Sequence, residues 1–131
     1  VDSNHLFVYG TLLKDDNEMS KFLASHSSFI DKGYFCGKLY KVSWYPGAIL
    51  SNDVSDKVYG MAFKIKNSKV VFNVLDDYEG LGEHHPKPHL FKKEIITVFL
   101  ENNIEIKSWV YLYDRPTKNL KKIISGDSFR P

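Results

Sequence analysis

At 131 residues, with 43% hydrophobic and 26% charged side chains, the chain has the size and balance of one folded domain, taken as residues 1–131, and leaves no room for a second. Lys and Arg number 18 against 16 Asp and Glu, and a net charge of +2 lacks the clustered basic excess that holding a phosphate backbone demands. A lone cysteine, Cys36, excludes a disulfide framework, no apolar run reaches membrane-span length, and VDSNHLFVYG has no signal-peptide layout. The expectation is a cytoplasmic protein with no membrane and no nucleic-acid partner.

Residues 5–9 form an apolar run of strand length that stops at Gly10, which admits a sharp turn. Asp15, Asp16 and Asn17 then offer N-cap oxygens to a short helix striped by Met19, Phe22 and Leu23. The aromatic-rich residues 29–45, which include Phe35, Leu39 and Trp44, are interrupted at Gly33 and Gly37 and predict two strands joined by a kink or bulge. Tyr45-Pro46-Gly47 signals a turn, a short strand follows over 48–50, and over 58–65 Tyr59, Met61, Phe63 and Ile65 alternate with smaller or polar residues, a strand with one buried face.

The period then becomes helical. Val70, Val71, Val74, Leu75 and Tyr78 recur behind a cap at Asn67 or Ser68, and the helix ends at Gly80. Residues 81–90, with two prolines and three histidines, predict a surface loop. Residues 91–100 and 104–113 predict an antiparallel hairpin turning at Asn102-Asn103, and the basic stretch 118–122 reads as a solvated helix or loop face. About six or seven strands with one long and one short helix make an α+β domain, a curled or barrel-like mixed sheet carrying the longer helix.

Two segments carry chemical potential. Asp76, Asp77 and Glu79 crowd the last turn of a helix, where the dipole disfavours negative charge; dipole, like charges and partial burial all raise a carboxyl pKa toward the range of a general acid and base. Solvated acids are the plain alternative, and Glu79, beside Gly80 where the chain leaves the helix, is the candidate. Tyr9-Gly10-Thr11-Leu12 ends a buried strand in glycine and a hydroxyl residue, a turn that can aim successive amides at a carboxylate or oxyanion; an ordinary tight turn would read the same way.

These two segments, together with Tyr45-Pro46-Gly47-Ala48 between them and Trp109-Val110-Tyr111-Leu112-Tyr113 near the end, resemble the gamma-glutamylcyclotransferase superfamily in order and spacing. Ser125-Gly126-Asp127 resembles the C-terminal end of its small bacterial members. The resemblance implies a mixed β-barrel with a cavity, whose floor carries the Tyr-Gly-Thr-Leu loop and whose wall carries Glu79. The implied reaction needs no cofactor: a small gamma-glutamyl substrate folds back, its α-amine attacks its own γ-carbonyl, and an amine and 5-oxoproline result. Glu79 would move the protons, the amides of Gly10, Thr11 and Leu12 would grip substrate oxygens, and Tyr9 would shape the wall. Tyr111 and Tyr113 share a strand face, either could lend a hydroxyl, and Tyr113 is carried as the substrate-binding candidate. At Phe91-Lys92-Lys93 the chain departs from the Tyr-x-Arg of many members, which removes a hydroxyl.

Glu83, His84, His85 and His89 invite a metal, but Pro86 and Pro88 rule out the helix that would align them, so no metal is expected. Cys36 lacks a nucleophile signature. The alternative from another class is a non-catalytic barrel that binds a small molecule, or stacks single-stranded nucleic acid on some of its 19 aromatic rings.

Overall fold

A computed structural model describes residues 4–10, 18–43, 45–81, 85 and 87–127, with the side chains of 18–20 outside that set. Thr11, Leu12, the proposed cap at Asp15, Asp16 and Asn17, the Met19 side chain, Trp44, Glu83, His84, Pro86 and the tail from Ser128 lie outside the described residues.

The described residues form seven strands and two helices in the order β1 (His5–Val8), α1 (Glu18–Ser25), β2 (Ser27–Lys41), β3 (Pro46–Leu50), β4 (Lys57–Ile65), α2 (Ser68–Tyr78), β5 (Phe91–Leu100), β6 (Glu105–Tyr113) and β7 (Lys121–Lys122). The strands β2-β4-β1-β6-β5 pair in sequence, and β5 returns to β2 to close a five-stranded barrel. The β1–β6 pair is parallel and the rest antiparallel, so the barrel is mixed. Closure falls where Gly33 and Tyr34 pair with Leu100 and Phe99. A side chain on Gly33 would place its Cβ 2.5 Å from the Phe99 carbonyl oxygen, so glycine lets the last strand approach.

Residues 29–45 hold one long strand rather than the two predicted, with an irregularity between Phe29 and Asp31. Gly33 and Gly37 do not break it, because each marks a place where a neighbouring strand comes close: β5 at Gly33, and β3 at Gly37. The turn signal at Tyr45 is also where β3 begins. Val42 and Ser43 donate to the Tyr45 carbonyl at 3.2 Å each, and Pro46, which has no N–H to offer, takes the first strand position. The basic stretch contains β7, a two-residue exposed strand beside Tyr40 and Lys41, not a helix.

Alternation on β6 separates two apolar clusters. Val110 and Leu112 turn inward with Phe7, Phe35, Val58 and Val98. Tyr111 and Tyr113 turn outward with Leu6 and Val8 and meet Val71, Phe72 and Leu75 of α2. The buried stripe of α2 is thus rotated from the predicted one: Phe72 is in and Val70 is out. Asn67 sits at the N-cap in a left-handed conformation and makes no side-chain cap bond. The hairpin turn is as predicted, with Asn103 at φ 67°. Among the described residues no helix is long and apolar enough to cross a membrane.

Candidate active site

The end of α2 sets the site. Glu79 is the C-cap residue at φ −82°, ψ 0°, and its amide donates to the Leu75 carbonyl at 2.9 Å. Gly80 follows at φ +79°, a left-handed conformation that costs residues with a Cβ about 1–2 kcal/mol. The Gly80 amide donates to the Asp77 carbonyl (3.1 Å) and the Leu81 amide to the Asp76 carbonyl (2.8 Å), the paired bonds of a Schellman turn. Leu81 then packs against the cluster under α2, so the chain's departure from the helix is held on both sides of Glu79.

A cavity of about 310 Å³ opens at this turn, near the small end of the range for small-molecule sites. Glu79 and Gly80 line it from α2, Tyr9 and Gly10 from the end of β1, Tyr45 and Pro46 from the start of β3, and Phe91 and Tyr111 from the β5–β6 hairpin. The mid-chain acid and the N-terminal bend therefore share one cavity.

Burial, and then the neighbouring Asp76 charge, raise the Glu79 carboxyl to about 7. Near neutral pH it is divided between acid and base, the condition for giving and taking a proton in one cycle. Tyr9 is held differently. Its hydroxyl donates to the Tyr111 carbonyl at 2.5 Å and accepts the Ala48 amide at 3.1 Å, so it ties β1, β3 and β6 together at the cavity wall. Burial above all, with the Glu79 charge adding to it, holds that phenol well above its ordinary range, and it stays protonated.

Two acids that share a helix end with Glu79 have separate partners. Asp77 is exposed and bonds His85 at 2.9 Å. Asp76 is half-buried: it accepts the Tyr111 hydroxyl at 2.6 Å and the Lys93 ammonium at 2.9 Å. Lys93 also lies over the rings of Phe72 and Trp109, 4.7 and 5.0 Å from their centroids. Burial first, and then donation to the Asp76 carboxylate, push the Tyr111 phenol far above its usual range.

A family profile described as "Gamma-glutamyl cyclotransferase, AIG2-like" matches residues 6–130. The chain belongs to this family. Its fold is similar to that of YkqA from Bacillus subtilis (TM-score 0.69, 21% identity), with 96% of this chain aligned to 39% of that one. It is also similar to an AIG2-like protein from Mus musculus (TM-score 0.63, 22% identity, 83% of this chain and 76% of that). Protein ytfP from Escherichia coli gives a TM-score of 0.57 at 27% identity, over 95% of each chain. This chain thus spans well under half of YkqA and nearly all of ytfP. A search of curated proteins found no match.

Of the substrate-binding candidates, Tyr9 and Gly10 line the cavity, and Thr11 and Leu12 lie outside the described residues. Tyr113 does not line it. Its ring packs against Phe91 with centroids 5.8 Å apart, behind the wall, because the cavity lies over the strand one alternation earlier, at Tyr111. Among the described residues no three His, Cys, Asp or Glu groups gather as a metal site. Two residues escaped the sequence reading: Asp76, set aside there as a helix-end solvator, and Lys93, noted only as a departure. The one available signal was the three-residue spacing of Asp76 and Glu79, which puts both on one side of a helix.

Proposed function

We propose that the protein is a gamma-glutamyl cyclotransferase with Glu79 as its general acid and base. The observation that carries this reading is a largely buried glutamate that shares a small, mostly apolar cavity with the end of β1, its carboxyl pushed up to about 7 by that burial. In the reaction the substrate's α-nitrogen bonds to its own γ-carbonyl carbon and closes a five-membered ring. The C–N bond to the departing amine then breaks. Glu79 takes the proton that the attacking amine loses and returns one to the departing nitrogen, so substrate atoms equal product atoms and no further reactant enters.

Intramolecular attack makes conformation the main demand. A site that holds the glutamyl unit coiled gains several kcal/mol from orientation. The walls of Tyr9, Tyr45 and Phe91 provide the confinement. Gly10 carries the first of the amides expected to grip substrate oxygens, with those of Thr11 and Leu12 following in the chain. Tyr113 supports the wall from behind, and neither metal nor organic cofactor has a step to perform.

The test is a panel of gamma-glutamyl compounds, with an amino acid, cysteinylglycine or a lysine side chain as the departing amine, assayed for 5-oxoproline. Glu79→Gln keeps the shape and removes the proton carrier. The expected result is a loss of about 10³-fold or more in kcat with folding retained. A folded variant of wild-type activity would refute the role.

A further inference from the structure

We propose that Asp76 is a positioning residue for this site: gripped by Tyr111 and Lys93, it fixes the helix end that carries Glu79 and stands beside it as an ion-paired carboxylate. The proposal rests on Glu79 being the acid–base group. Both side-chain oxygens of Asp76 are engaged, one by β6 through the Tyr111 hydroxyl at 2.6 Å and one by β5 through Lys93 at 2.9 Å. Its main-chain carbonyl accepts the Leu81 amide at 2.8 Å, across the turn that presents Glu79. One residue thus ties the hairpin, the helix and the exit turn together.

The pair is not a loose surface contact. The Lys93 and Asp76 side chains are 19% and 28% exposed, and the ammonium is roofed by two aromatic rings, so water screens the two charges only partly. Among the described residues, the Glu79 charge raises the phenols of Tyr9 at the end of β1, Tyr45 before β3 and Tyr111 of β6, and the charge that raises Glu79 itself is that of Asp76 on α2. The three phenols stay neutral, Asp77 is engaged by His85, and Lys93 is paired with Asp76. Asp76 is therefore the group whose charge Glu79 feels, and Lys93 is the group that moderates it.

Two substitutions then act in opposite senses. Asp76→Asn keeps an oxygen for the Tyr111 hydroxyl but removes the like charge, so Glu79 ionises more easily and titrates about one pH unit lower. Lys93→Met leaves the Asp76 charge uncompensated and moves Glu79 the other way. The measurement is a carbon-13 NMR titration of the glutamate carboxyls in the intact chain, the Glu79 signal being the one missing in Glu79→Gln, alongside kcat/KM against pH. A downward shift in Asp76→Asn, or an upward one in Lys93→Met, supports the proposal, and the acidic limb of the rate profile should move with it. An unmoved Glu79 titration in the folded variants overturns it, as does loss of fold in both, which would leave the pair a structural role alone. The titration needs no substrate, so opposite shifts in a chain that forms no 5-oxoproline would fault the reaction and not the charge relay between these side chains.

Discussion

The two faces of the barrel wall are built from the same strands and have opposite character. On the inside, Phe7, Phe35, Val58, Val98, Val110 and Leu112 make an apolar cluster that meets the cavity at Phe7 and Tyr9. Its one phenol, Tyr9, has its hydroxyl bonded to main-chain groups of Ala48 and Tyr111. The outside face, under α2, is also apolar at its centre, with Leu6, Val8, Val71 and Leu75, but at the helix end it carries Glu79, Asp76, Tyr111 and Lys93. A carboxyl deep in the inner cluster would stay neutral, and one in open water would stay ionised. The seam between wall and helix end is the intermediate environment in which a carboxyl changes state near pH 7.

If the inner face serves stability, truncating it should produce the largest effect on folding. Phe35→Ala removes a fully buried ring that meets Phe7 edge-on, with centroids 5.7 Å apart. Denaturant unfolding should register a loss of about 3–5 kcal/mol; a loss below 1 kcal/mol would end the distinction between the faces. Tyr9→Phe tests the polar tie through the wall. It keeps the ring and leaves the Ala48 amide and the Tyr111 carbonyl without their shared partner, so about 1–3 kcal/mol should disappear in the same measurement.

The smallest stability effect belongs to the seam, and its sign depends on pH. The Glu79 carboxyl titrates near 7 in the folded chain against an ordinary 4.5, so the folded state holds this proton more tightly than the unfolded state does. Its contribution is complete below pH 4.5 and is lost as pH rises through about 7. Stability curves should therefore show the wild type weakening against Glu79→Gln across that interval, by about 1–2 kcal/mol once partial exposure is discounted. Parallel curves would mean that the carboxyl is not in a special environment, whatever the activity of the variant.

Several features could be read from local pattern because their causes are local. The stop at Gly80 reports a left-handed residue, and Asn103 turns the hairpin for the same reason, whereas in β4 the alternating large residues did not mark the buried side: Val58 and Ala62 are fully buried and Tyr59 is exposed. The family likeness rested on such segments too, and it carried Glu79 with it. The continuity of β2 was hidden, because Gly33 and Gly37 look like breaks until the strands that press against them are known.

What residue order encodes in this protein is the type of most elements and the stops at Gly80 and Asn103, since periodicity and backbone sterics act within a few residues. It does not encode which of two outward tyrosines meets the cavity, nor that Asp76 would find Lys93 17 positions away and Tyr111 35 positions away. Those meetings depend on how the barrel closes and where α2 lies across it. The placement of Glu79 between water and core, and with it a carboxyl that titrates near 7, belongs to the packed molecule.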